Sequence, residues 1–269
     1  VKRLEARHWT FIGLFLTIGI TMLLNFRLDI PVSDRTRVLY DYIEQLPSGS
    51  TLIVSFDHEA SSVPEIRPIA LSILRHAFKK GHKLIGVALL AEGTLIGYRL
   101  MRQTAEEYGR VYGADYVYLG FRPQYIAAIL SMGKSIRETY PQDYRGNDYD
   151  SLPMLRGIEN YSDIAGVLSI ADGSLTTHWI EYGRGRFDIP VAAGVTAAMV
   201  TTYDPYVASG QLDAMVGGLR GAAEYEQLIA REGGGIRGML AQSSAHVYVV
   251  VLIIIGNIIH FASRRRRAA

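Results

Sequence analysis

Three adjacent titratable residues, Asp57, His58 and Glu59, follow directly on the apolar run "TLIVSF" (51–56). Asp57 or Glu59 could serve as a general base. Either could also join His58 on a metal, because carboxylate and imidazole both suit zinc or manganese. The same residue types make ordinary turns, in which Asp takes up backbone N–H groups while His and Glu face water. The zinc-protease spacing is not met: in "HEASS" the second histidine position holds Ser62. A metal site from Asp57, His58, Asp172 and His178 has suitable donors, but no ligand spacing specifies it, and no metal is assigned.

The search for a nucleophile is negative. The chain has no cysteine and no G-x-S-x-G elbow. Ser61, Ser62 and Ser174 have no identifiable base partner. There is no G-x-x-x-x-G-K-[ST] loop. The nearest approach to a phosphate cradle is "VGGLRGAAEYE" (216–226), where Gly217 and Gly218 lead into a helix and Arg220 adds charge. A helix start of this kind favours an anion. Val216 occupies the first glycine position of a dinucleotide fingerprint, so no cofactor is implied. Close packing of helix on sheet is the competing use of these glycines.

What must position these residues is an alternation of short apolar runs and helical stripes. Runs at 51–56, 83–90, 115–121, 163–171, 189–195 and 212–218 predict six strands. Between the first two, Ile66, Ile69, Ile73, Leu74 and Ala77 form a helical stripe stopped by Gly81. Helices are also expected over 93–113, 124–140, 175–187, 197–206 and 221–232. The strands are apolar on both faces, as in a parallel sheet covered on both sides. The predicted fold is α/β: a Rossmann-like three-layer domain with a mostly parallel sheet. Its expected bounds are 51–232, with an excursion loop at 141–160 that is rich in tyrosine (Tyr144, Tyr149, flanked by Tyr140 and Tyr161). These tyrosines either offer a partner surface or pin the loop to the domain.

In such a sheet, ligands bind outside the carboxyl ends of the strands. The expected rim holds Asp57, His58 and Glu59 after the first strand and Arg122 after the third. Asp172, Ser174 and His178 follow the fourth, Asp204 follows the fifth, and Gly217, Gly218 and Arg220 follow the sixth. Asp57, Glu59 and Asp172 are the catalytic candidates; the others are ligand-binding candidates. For Asp57 and Asp172 the plain alternative is helix capping. His58 and Glu59 are expected in solvent, and His76 and His82 on the surface.

Both ends are strongly apolar. Residues 9–26, "WTFIGLFLTIGITMLLNF", carry no charge, and residues 247–262 are apolar apart from Asn257 and His260. Each is predicted as a transmembrane helix, flanked by basic tails at 1–8 and 263–269, the latter with four consecutive arginines from Arg264. A juxtamembrane segment (27–50) and a Gly-rich linker (233–246) join the spans to the domain. Charge near the spans favours cytoplasmic termini with an extracytoplasmic central domain, chiefly through the terminal arginines. The net charge of +2 supplies no case for nucleic acid.

The expected partners are the lipid bilayer, a protein partner or second copy, and a small anionic ligand. Two functions fit: a ligand- or partner-binding scaffold subunit of a membrane assembly, and a membrane-anchored hydrolase or transferase using the rim acids. The first is preferred, because the acids match no catalytic constellation.

Overall fold

A computed structural model describes residues 5–24 and 30–268. Lys2, Arg3, the end of the first predicted span at Asn25 and Phe26, and Arg27 lie outside the described residues.

The chain forms two compact units. The larger, Ile30–Gly235, is an α/β domain. It begins with α2 (Asp34–Gln45), whose Ser33 cap accepts from the Thr36 N–H. Then follow β1 (Thr51–Asp57), α3 (Val63–Lys79), β2 (Lys83–Ala88), α4 (Ala91–Glu107) and β3 (Tyr116–Phe121). After α5 (Tyr125–Met132) and α6 (Ile136–Thr139), 3-10 turns carry the chain to β4 (Gly166–Ala171). A short α7 (Leu175–His178) continues as a π-helical segment (Trp179–Arg184) and ends in α8 (Gly185–Phe187). β5 (Val191–Val195), α9 (Ala197–Ala208), β6 (Ala214–Gly217) and α10 (Gly218–Leu228) complete the domain.

All five strand pairings are parallel, and the order is β3-β2-β1-β4-β5-β6, that of a doubly wound α/β sheet. β1 and β4 are therefore neighbours at the point where winding reverses, with Asp57 opposite Ala171. Strand residues alternate between two cores, as the period of two requires. Ile53, Val87, Val117 and Val167 pack with Ile129, Trp179 and the tyrosine-rich loop. Leu52, Val54, Phe56 and Leu84 pack with the apolar stripe of α3 and with Leu39, Met101 and Tyr225.

The excursion loop is pinned to its core. Tyr140, Tyr149 and Tyr161 are buried. The Tyr149 hydroxyl donates to the Ile158 carbonyl at 2.9 Å, and that of Tyr161 to the Ile129 carbonyl at 2.8 Å.

The smaller unit holds α1 (Ala6–Leu23) and the stretch of α11 (Gly234–Ala268) from Ile236 onward. α11 replaces the expected linker at 233–246 with helix from Gly234. The physical reason is a cap: the buried Glu226 carboxylate accepts from the Gly233 and Gly235 N–H groups at 3.0 and 2.7 Å. The 31 residues Gly234–Arg264 span about 46 Å, contain a stretch of mean hydropathy 2.1, and bury none of it. This helix is long and apolar enough to cross a membrane. The apolar part of α1, Arg7–Leu23, is shorter. The two helices touch where the Tyr248 hydroxyl donates to the Thr10 carbonyl at 3.1 Å. Gly13 admits that ring, since a Cβ there would stand 2.1 Å from the hydroxyl.

Candidate functional site

The acids at the carboxyl edge are held by the chain itself. Ser55 and Asp57 point to the same face of β1 as Ile53. Asp57 is buried, with its carboxylate accepting from the Ser55 hydroxyl (2.6 Å), the Leu89 N–H (2.8 Å) and the Trp179 indole N–H (3.3 Å). It thereby ties β1 to the residue just beyond β2 and to the π segment. Burial pushes its pKa up to about 6, against the pull of those three donors. Asp172 accepts from the Glu59 N–H at 2.8 Å. Glu92, at the start of α4, accepts from the Ala60 N–H at 2.9 Å, and Glu65 accepts from the Ala197 N–H that opens α9 at 2.7 Å.

This arrangement has a chemical consequence. In dinucleotide-binding sheets the turn after β1 offers free N–H groups to a pyrophosphate. Here two of those groups, on Glu59 and Ala60, already face carboxylates. A phosphate would meet negative charge where it needs donors.

Two of the expectations for histidine are corrected. His58 is buried rather than solvated: its Nδ1 lies 3.2 Å from the Glu59 carbonyl, and burial lowers its pKa. His76 and His82 are buried, not on the surface. His76 sits between the Glu44 carboxylate (2.9 Å) and the Tyr225 hydroxyl (2.8 Å), and His82 faces the Ile43 carbonyl (3.2 Å). Both lie under α2, a packing partner that their local spacing does not reveal. Glu59 is exposed, as expected.

The remaining candidates fall into two neighbourhoods. At the tip of β6, a cavity of about 220 Å³ is lined by Ser33, Arg35, Thr36, Gly217, Arg220 and Glu224, with Gly221 beneath. Its charges are already matched. Arg220 pairs with Glu224 at 2.9 Å, and Arg35 with Asp204 at 2.6 Å. The second Glu224 oxygen accepts from Ser33 and Thr36. Gly217 and Gly218 have packing roles: a Cβ on Gly217 would lie 2.1 Å from Val200, and Gly218 has φ +69° against Ala197.

At the tips of β3 and β4 the situation differs. The Arg122 guanidinium lies 5.0 Å from the Tyr140 ring centroid. Three residues on, Tyr125 stacks on His178 (4.6 Å, 25°), which in turn faces Tyr182 at 6.1 Å and 26°. Three buried atoms here, Arg122 Nε, Tyr140 Oη and His178 Nδ1, have no hydrogen-bond partner. The nearest acid to His178, Glu181, stands 3.8 Å away. Ser174 is exposed beside them at the start of α7, and its carbonyl accepts from the Thr177 N–H.

Tyr125, Trp179, Tyr182 and Glu92 were not among the sequence candidates, and Tyr140 was named only as a flank of the tyrosine-rich loop. The aromatic spacing in "HWIEYGRGRF" could have drawn attention to Trp179 and Tyr182. Among the described residues no group of three or more His, Cys, Asp or Glu side chains is placed to hold a metal ion.

Comparison with protein-family models, with curated proteins and with solved structures finds no match to this chain.

Proposed function

We propose that this chain is a membrane-tethered α/β domain that binds a ligand or partner at its carboxyl edge, as a scaffold subunit of a membrane assembly, and does not transform what it binds. The observation that carries the reading is the state of the rim acids. Asp57, Glu65, Glu92 and Asp172 each accept a backbone N–H from a neighbouring element. A general base needs a free lone pair aimed at a substrate proton. Each of these carboxylates is engaged as a tie between elements. The alternative, a hydrolase or transferase using the same acids, would have to work from the oxygens those ties leave over, or from Glu59, which is exposed and makes no such tie.

Tethering rests on the smaller unit. Trp9, Phe11, Phe15, Val247, Ile258 and Phe261 are each at least 60% exposed, and such side chains crowd α1 and α11. A bilayer is the solvent that suits them. In this reading both helices span, the Tyr248–Thr10 contact joins them, and both termini share one side. The terminal arginines favour the cytoplasm for that side, which puts the α/β domain outside it.

Two measurements test the proposal. Alkaline carbonate should leave the chain in the membrane pellet and detergent should release it; release by carbonate alone overturns the tether. Asp172→Ala, which removes the acceptor of the Glu59 N–H, should lower thermal stability modestly while leaving assembly intact. An Asp172→Asn chain of unchanged stability that loses turnover of a substrate would make the rim an active centre.

A further inference from the structure

We propose that the tips of β3 and β4 bind a small, flat monocarboxylate, with Arg122 as its anchor and Tyr140, His178 and Tyr125 around it. This rests on the binding reading above and names its ligand class.

Several observations converge on one place. Arg122 follows β3 and lies against the Tyr140 ring, so its fork is held rather than free to roam. Among the described residues it has no carboxylate partner within ion-pair distance, unlike Arg220 and Arg35 at the far end of the sheet. Its Nε is buried and without a partner, as is the hydroxyl of Tyr140, a side chain only 1% exposed. His178 Nδ1 is a third such atom. Orphaned polar atoms also occur on Tyr42, His58, His82, Thr94 and Arg110. At the tip of β3 two such side chains, Arg122 and Tyr140, lie against each other. Tyr140 feels the charges of both Arg122 and Asp57. Asp57 accepts from Trp179, the residue after His178. His178 stacks on Tyr125, three residues from Arg122. The Arg122–Tyr140 contact and the Tyr125–His178 stack thus both stand on the segment that follows β3. Buried polar groups without partners are costly, and a polar ligand is one way to satisfy them.

The chemistry narrows the ligand. A guanidinium fork matches the two oxygens of a carboxylate, and a phenol hydroxyl can donate to the same group. Glu59, Glu181 and Asp172 stand along this edge and repel anions. A phosphate dianion meets that repulsion twice, a monocarboxylate once. Phe121 and Tyr125 expose 39% and 38% of their surface beside Arg122, which favours a flat apolar body behind the carboxylate.

The test uses the full chain in detergent micelles, with benzoate as probe and benzamide and inorganic phosphate as controls at equal ionic strength. Binding is followed by calorimetry and by ligand-dependent thermal shift. Benzoate should bind saturably, and benzamide and phosphate much more weakly. Arg122→Leu should weaken benzoate about 10- to 100-fold. Tyr140→Phe, which removes only a hydroxyl without a protein partner, should keep the fold and weaken benzoate about 3- to 10-fold. Phosphate binding more tightly than benzoate overturns the proposal, as does benzoate binding that survives both variants, or no binding by the parent chain. Failure of benzoate in a carbonate-resistant chain sinks the ligand and leaves the tethered scaffold standing. Carbonate release with benzoate binding intact does the reverse.

Discussion

His76 and Tyr140 are both buried polar aromatics, on opposite faces of the same sheet, and they are treated differently. Around His76 every polar atom has a partner. Its two ring nitrogens meet Glu44 and Tyr225, the other Glu44 oxygen takes Lys80 at 2.9 Å, and Tyr40 stacks on the ring at 4.4 Å. Burial lowers the His76 pKa, so the ring is neutral near pH 7. Nε2–H then donates to Glu44, and the Tyr225 O–H donates to Nδ1. At Tyr140 the network is left open: its hydroxyl and the Nε of the neighbouring Arg122 lack partners, as does His178 Nδ1 beyond β4. A closed network of this kind fixes how α2, α3 and α10 pack. An open one marks where something from outside completes the structure.

The largest effect expected from breaking this contrast is at the closed network. His76→Ala should destabilise the domain by about 3 kcal/mol or more, because it opens a cavity and strands the Tyr225 hydroxyl. Denaturant unfolding of the chain would measure it. A loss below about 1 kcal/mol would mean that water repairs the network and the contrast is false.

Next comes Asp57, which belongs to the edge but is itself fully satisfied. Its pKa is pushed up to about 6 from the ordinary 3.8, so the folded chain holds this proton more tightly than the unfolded one. Stability from this group is therefore full below the ordinary carboxylate range and is lost as pH rises towards 6. The loss is on the order of 3 kcal/mol between pH ~4 and pH ~6. Glu44 works the other way. Hydrogen bonds from Lys80 and His76 hold it down at about 2, so its contribution is present above the ordinary range and lost on acidification. Half-exposed, it contributes less. Comparing the parent with Asp57→Asn isolates the buried acid: the difference between their stabilities should change across that window. A parallel pair of curves would show that Asp57 does not titrate there.

How much of this was legible in residues alone follows from the range of the interactions. The strands and the apolar stripe of α3 announce themselves through local period, and the parallel sheet followed from apolar runs on both faces. The edge as a place was legible too, because topology puts Asp57, Arg122 and Asp172 there. The partners were not. The Asp57 carboxylate meets Leu89 and Trp179, 32 and 122 residues away, and His76 meets Tyr225 across 149. No local spacing encodes such pairs. The linker expected at 233–246 failed for the same reason: three glycines suggest a break, and only the cap from Glu226 makes them the start of a helix.

Asp172→Ala tests the ties at the edge on a smaller scale. It removes the acceptor of the Glu59 N–H, which is exposed enough for water to replace it. The expected cost is about 1 kcal/mol, seen as a modest drop in Tm. A cost as large as that of His76→Ala would place Asp172 in a network of its own.

The smallest effect carries the sharpest comparison. Tyr140, Tyr149 and Tyr161 are buried tyrosines of one loop and its flanks, packed in one core. The hydroxyls of Tyr149 and Tyr161 have carbonyl partners at 2.9 and 2.8 Å; that of Tyr140 has none. Removing a partnered hydroxyl leaves a buried carbonyl short of a donor, so Tyr149→Phe and Tyr161→Phe should each cost about 1–2 kcal/mol. Tyr140→Phe removes a group that gains nothing within the chain and pays for its desolvation, so stability should hold within about 0.5 kcal/mol or rise. Unfolding of the three variants side by side, without added carboxylate, decides the matter. If Tyr140→Phe costs as much as the other two, its hydroxyl has a partner in solution, and a bound water would account for the open network as well as any ligand.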